Sequence, residues 1–209
     1  MNFIENQKWR YATKKFDATQ KISQENIEII KEAIQLSTSS YGLQPYQILD
    51  IENQELRQKM LPHCWNQNQI VDASHVFVFA NFIQVNENHI DDYFKNMSKI
   101  RNVELENYKG YSDFMKKNIL NLSENSCKTW TSKQTYLAMG NLINICAELK
   151  IDCTPMEGFV PSEINKILEL EDKNLNASLI ATIGYRHEDD ISQNYVKVRK
   201  PIEELFVIL

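Results

Sequence analysis

Two short stretches restrict the fold of this chain more than any other feature. Val76-Phe77-Val78-Phe79-Ala80 carries no polar side chain, and Leu179 to Ile183 carries only Thr182. A strand with one wet face alternates apolar and polar residues; an unbroken apolar run predicts a strand covered on both faces. The segment from Lys128 to Leu149 is a strong candidate cover. Trp130, Leu137, Gly140, Ile143, Ile145, Cys146 and Leu149 leave its second half little polar face, so the helix is expected in a core or a subunit interface. Gly140 would let another backbone come close. With 209 residues the chain can build one sizeable core.

Shorter elements follow from local signals. A helix is predicted from Phe3 to about Tyr11. A second begins after Ser23, with Glu25 in its first turn and Ile27, Ile30, Ala33 and Ile34 on one face. Thr38 to Gly42 breaks it, and Tyr46 to Ile51 alternates like a half-buried strand. Glu55 to Leu61 reads as a short helix stopped by Pro62. The polar stretch 87–122, with aromatics Tyr93, Phe94, Tyr108, Tyr111 and Phe114, predicts a peripheral pair of helices. Ile151 to Thr154 is a short strand, Pro161 to about Leu168 a helix, and Leu205 to Leu209 a final β-prone segment. No repeat or linker divides residues 1–209, which predicts a single α+β domain.

Composition narrows the function. Acidic residues number 28 against 23 Lys and Arg. A nucleic-acid partner usually needs a broader basic surface, so none is expected. No apolar run reaches the roughly 20 residues that span a bilayer, so no membrane is expected either. Met1 to Gln7 lacks the basic start and apolar stretch of a leader, which predicts a cytoplasmic protein. Cys64, Cys127, Cys146 and Cys153 form no Cys-x-x-Cys pair and read as free thiols, with Cys146 in the core; no metal is expected. The five glycines stand too far apart for a Gly-x-Gly-x-x-Gly turn or a P-loop. A phosphorylated ligand would therefore be held by side-chain cations.

Such cations cluster at both ends, in Arg10-Tyr11-Ala12-Thr13-Lys14-Lys15 and in Tyr195-Val196-Lys197-Val198-Arg199-Lys200. Arg10 and Lys14 would share one side of a helical turn, and Lys197 and Arg199 one side of an extended segment. Together they could meet on one phosphate; the other reading is two solvated basic turns. Ser39, Ser40 and Gln44 could bond the edge of a planar heterocycle, or simply form a helix C-terminus with Gly42 at its turn. Gly158 could offer a backbone N–H, and Glu157 is either a base or an exposed loop carboxylate. Asn66 and Gln69 are neutral donors and acceptors before the first apolar strand.

In order, these segments resemble the FMN-dependent nitroreductase family, in its oxygen-insensitive NAD(P)H nitroreductase and dihydropteridine reductase branch. The resemblance rests on Arg10-x-x-x-Lys14-x-Phe16-Asp17, Ser39-Ser40-x-x-x-Gln44-Pro45, Asp72-Ala73-Ser74-His75, Lys133-Gln134-x-Tyr136-Leu137-x-x-Gly140-Asn141, Pro155-Met156-Glu157-Gly158-Phe159 and Lys197-x-Arg199. It implies a mixed, mostly antiparallel sheet flanked by helices, in a homodimer whose C-terminal tails embrace the opposite subunit. It implies FMN held by Arg10, Lys197 and Arg199 at the phosphate, Lys14 near N1 and O2, Asn66 at the pyrimidine edge, and the Pro155–Gly158 loop near N5. Ser39, Ser40 and Gln44 would reach the cofactor from the second subunit, and Tyr41 and Phe114 would edge the substrate slot. NAD(P)H would give a hydride and leave before a nitroaromatic, quinone or similar planar acceptor takes two electrons. No side chain need act as acid or base: the chemistry belongs to the flavin, and Lys14 assists by its charge.

Four positions depart from the family pattern. Ala12 replaces a common phosphate-binding Ser and leaves only its backbone N–H. Tyr11 replaces His or Arg, Gln69 replaces a Lys near the nicotinamide or flavin edge, and Tyr46 replaces Trp. Two other functions suit the same residues: a flavin-storing or sensing module without turnover, and a flavin-modifying or dehalogenating relative.

Overall fold

A computed structural model describes residues 3–209; Met1 and Asn2, at the start of the stretch read for a leader, lie outside the described residues. Its centre is a four-stranded sheet in the order β1-β2-β4-β3. The strands are β1 (Tyr46–Asp50), β2 (His75–Phe82), β3 (Asp152–Met156) and β4 (Leu175–Gly184). Every pairing is antiparallel, so the expected mixed sheet has no parallel partner among the described residues. The helices are α1 (Phe3–Trp9), α2 (Gln24–Gln35), α3 (Gln54–Met60), α4 (Gln69–Asp72), α5 (Glu87–Arg101), α6 (Lys109–Ile119), α7 (Glu124–Glu148), α8 (Pro161–Ile167) and α9 (Ile202–Leu205).

The two apolar runs are the inner strands β2 and β4, and both of their faces are dry. Phe77 and Phe79 point to a core built with α2 and α7, while Val76, Val78 and Ala80 point to a second core with α3, α4 and α8. In β4 the alternation changes phase at a bulge: Phe79 pairs with Leu179 and Ala80 with Ala177, leaving Ser178 between them. One extra residue moves everything beyond it to the opposite face. Leu175 and Ala177 therefore join the second core, and Leu179, Ala181 and Ile183 the first. The Ser178 hydroxyl donates to the Phe79 carbonyl (3.0 Å) and meets the Thr135 hydroxyl at 2.9 Å.

Helix α7 has 25 residues and so runs about 37 Å. Ser123 caps its start, and Ala138, Leu142 and Cys146 are fully buried against the sheet. Ser23 caps α2, whose Ile27, Ile30 and Ile34 are buried as the periodicity predicted. Helices α5 and α6 form the peripheral arm with a third core of their own, around Ile90, Phe94, Met115 and Ile119.

Three expectations need correction. Helix α1 stops at Trp9, so Arg10 and Lys14 lie on an irregular segment and not on a helical turn. Pro62 does not stop the chain from coiling: it sits inside a 3₁₀ turn, Leu61–Cys64, that continues α3, where its missing N–H costs nothing. Leu205–Leu209 forms no strand; the chain ends in α9 followed by irregular backbone. Among the described residues no atom outside α7 comes within 4 Å of a Cβ placed on Gly140, so that surface of α7 is open within this chain.

Candidate functional site

The segment 10–15 is shaped by buried polar anchors. Thr13 is fully buried; its carbonyl accepts from the Thr154 hydroxyl (2.7 Å) and the Gln69 side chain (3.5 Å). Asp152, 3% exposed, holds the Arg186 guanidinium at 2.6 Å and accepts the Thr13 hydroxyl. Arg186 in turn lies over the rings of Trp9 (4.4 Å) and Tyr11 (4.6 Å). Asp190 receives the Tyr11 hydroxyl (2.9 Å) and the N–H groups of Lys14 (2.7 Å), Lys15 (3.2 Å) and Ser192 (3.0 Å). Burial opposes ionisation of Asp190, yet those donors hold its carboxyl below the usual range. Burial and the bond to Asp190 push the Tyr11 phenol up.

This scaffold displays the cations. The Arg10 Nε donates to the Gln7 side chain (2.8 Å), while Lys14 is exposed. The Lys197 ammonium donates to the carbonyls of Gln7, Lys8 and Arg10, the last turn of α1 and the residue after it. A cation is well placed at such a C-terminus. It also ties the tail to the first helix and brings Arg199 alongside. Arg10 has its pKa lowered by burial and then by Arg199; Lys197 has its pKa lowered by burial and then by Arg10 and Arg199. Among the described residues no carboxylate lies within ion-pair distance of these three. Three mutually repelling cations without an acidic partner suit a phosphate dianion.

The next group adjoins it through β3. Thr154, bonded to Thr13, leads to Pro155, Met156, Glu157 and Gly158. Met156 is buried in the second core, leaving its backbone as the usable part. The Glu157 carboxylate accepts the Tyr136 hydroxyl at 2.7 Å. Gly158 accepts from the Gln67 side chain (3.0 Å), and a Cβ there would stand 2.8 Å from the Trp65 ring. Trp65 and Asn66 are both left-handed (φ 56° and 52°), and the Asn66 side chain is exposed. Gln69 is buried beneath the cationic segment, on the Thr13 carbonyl, and Asn66 follows Trp65, the ring that faces Gly158. A cleft of about 460 Å³ between α7 and this loop is edged by Tyr136, Gly140, Pro155 and Glu157.

Ser39, Ser40, Tyr41 and Gln44 lie elsewhere. The Ser40 N–H donates to Gln134 (2.8 Å), two residues before Tyr136. Two residues are about 200° on a helix, so α7 stands between this turn and Glu157. Ser39 accepts the Gln44 N–H (2.9 Å), and the Gln44 side chain caps α2 at the Gln35 carbonyl (2.8 Å). Phe114 sits on α6, 53% exposed and stacked on Tyr111. The chain thus separates the expected site into two parts.

Asp152, Arg186 and Asp190 were missed by sequence reasoning. Their one visible signal was the acidic run Glu188-Asp189-Asp190 just before the basic tail, and nothing in it distinguishes the buried Asp190 from its exposed neighbours.

The setting is an antiparallel sheet whose inner strands are covered on both faces, beside a cluster of cations drawn from segments 187 positions apart. A model of the nitroreductase family matches residues 8–185, and the chain belongs to that family. It is 36% identical to the major NAD(P)H-flavin oxidoreductase of Aliivibrio fischeri, over 96% of this chain and 95% of that one. It is 34% identical to YfkO of Bacillus subtilis, named as an NAD(P)H nitroreductase, over 87% of each chain. A nitroreductase-type protein of Exiguobacterium sibiricum, solved in complex with FMN, has the same fold: TM-score 0.87 at 20% identity, covering 100% of this chain and 98% of that one.

Proposed function

We propose that this protein is an FMN-dependent oxidoreductase that draws on NAD(P)H and reduces nitroaromatics, quinones or similar planar acceptors. The observation that carries the reading is the cluster Arg10, Lys197 and Arg199, gathered from residues 187 positions apart and without a carboxylate partner among the described residues. Arg10 and Arg199 hold the phosphate, and Lys197 fixes the tail that delivers Arg199. The exposed ammonium of Lys14 would approach the N1 and O2 side of the ring, where a cation would favour added negative charge. The Pro155–Gly158 backbone and Asn66 orient the ring, and Ala12 offers its N–H. Bound FMN would supply the hydride chemistry itself.

The other wall comes from a second copy. Ser40 meets α7 at Gln134, while the cationic segment meets it through Gln7 at Asn144, about 15 Å further along the helix, and a homodimer would bring Ser39, Ser40 and Gln44 to the opposite subunit's cofactor. The tail supports this: Val196, Val198, Phe206, Val207 and Ile208 are each more than 60% exposed. Apolar area of that extent gains about 25 cal/mol per Å² when covered, and an embracing dimer covers it. Tyr41 and Phe114 edge an open slot, which reductant and acceptor occupy in turn. No helix among the described residues is long and apolar enough to cross a membrane, and we place the enzyme in the cytoplasm.

The test is direct. Purified protein should be yellow, lose its flavin absorbance with NADH or NADPH in the absence of air, and regain it with a nitroaromatic or quinone. Protein that stays colourless with added FMN refutes the reading. Bound flavin that neither nucleotide reduces indicates a storage module instead.

A further inference from the structure

The turn after α2 is held in a costly shape. Tyr41, Gly42 and Gln44 have φ of 61°, 74° and 46°, and only one of the three is glycine. Such backbone persists where surrounding bonds over-determine it, and it collects at functional sites. Three of the bonds belong to the framework: Ser40 N–H to Gln134, Gln44 N–H to Ser39, and the Gln44 side chain to Gln35. The fourth comes from the peripheral arm. The Tyr93 hydroxyl on α5 donates to the Tyr41 carbonyl at 2.8 Å. It reaches that oxygen by passing over Gly42, where a Cβ would stand 2.9 Å from it. The arm behind it is continuous: Tyr93 meets Phe94 edge-on at 5.2 Å, Phe94 meets Tyr111 at 5.5 Å, and Tyr111 stacks on Phe114 at 6.5 Å.

We propose that Tyr93 is a positioning residue for the flavin ring. Its hydroxyl, seated over Gly42, fixes the Tyr41 peptide and so the direction in which Ser39, Ser40 and Tyr41 are presented, coupling that turn to the α5–α6 arm. The inference rests on the reading that this turn reaches the flavin of the opposite subunit. Without the hydroxyl the Tyr41 peptide is free to relax to a right-handed conformation, and the presented groups turn away. The phosphate cations adjoin α7 through Gln7 and Asn144, ten residues along from Gln134, and the bonds of the turn do not involve them.

The test is fluorescence titration of the full-length protein with FMN and with riboflavin. Tyr93→Phe keeps the ring and removes the latch; it should weaken both flavins about two- to ten-fold, leaving their affinity ratio unchanged. Tyr111→Phe, on the same arm with no bond from its hydroxyl among the described residues, should match wild type. Gly42→Ala should weaken both flavins, and adding Tyr93→Phe to it should cost little more, because the latch is already displaced. Wild-type binding by Tyr93→Phe overturns the inference, as does full additivity with Gly42→Ala or a collapse of the FMN-to-riboflavin ratio. Wild-type protein that takes up neither flavin overturns the functional reading and this inference with it.

Discussion

Asp190 gives the sharpest test of how the cationic segment is held. Its Oδ2 accepts three bonds, from Tyr11, Lys14 and Lys15, and its Oδ1 accepts one from Ser192. Asp190→Ala removes all four. At a net value of about 1 kcal/mol each, the loss is about 4 kcal/mol. Asp190→Asn keeps an oxygen toward the first three donors but turns an amide N–H against Ser192, so its cost is about 1–2 kcal/mol. For a chain of this size each kcal/mol moves Tm by about 2–4 °C. Thermal unfolding should therefore show falls of about 8–16 °C for the Ala variant and about 2–8 °C for the Asn variant. The effect must also depend on pH. The folded carboxyl is held below its unfolded value, so the stabilisation is present above about pH 4 and is lost as pH falls through the lower, folded pKa. The gap between wild type and Asp190→Asn should narrow on acidification over that range. An Ala variant melting within about 2 °C of wild type would refute the reasoning.

Three further outcomes can be checked separately. Arg199→Ala should reduce FMN affinity about 10- to 150-fold by fluorescence titration, as expected for one charge-assisted phosphate contact; unchanged affinity would remove the tail from the phosphate site. Gly158→Ala should push Trp65 aside, changing tryptophan emission, and cost about 1–3 kcal/mol in urea unfolding. Burial, then the bond to Glu157, raise the Tyr136 phenol to about 12. An ultraviolet titration of wild type minus Tyr136→Phe should show that phenol ionising near 12, and ionisation near 10 would mean the bond does not form in solution.

The sheet was legible in sequence because burial on both faces leaves a compositional mark: no polar residue survives in 76–80, and one, Thr182, in 179–183. Helix α2 was legible through its periodicity and its start after Ser23, and α7 through its apolar second half, although α7 begins at Glu124, ahead of the expected Lys128. The bulge at Ser178 was not, since a single extra residue changes which face is buried without changing which residues are apolar. The basic clusters were visible as charge, but the helical turn assigned to Arg10 and Lys14 was not realised. Helical spacing there was overridden by side-chain acceptors 139 and 176 residues away, which no local signal reports. The latch from Tyr93 was equally hidden, because a tyrosine in an amphipathic helix reads as packing until its hydroxyl partner is known.

The grip of Lys197 on the carbonyls of Gln7, Lys8 and Arg10 fastens α1 to a segment 187 to 190 positions further along the chain. Synthesis runs from N-terminus to C-terminus, so α1 must wait for that cap until the later segment has been made. A ligand that needs Arg10 and Arg199 together can be captured only once both segments are present. On the proposed function, FMN loading is then a late event and not a nucleus around which the intervening residues fold.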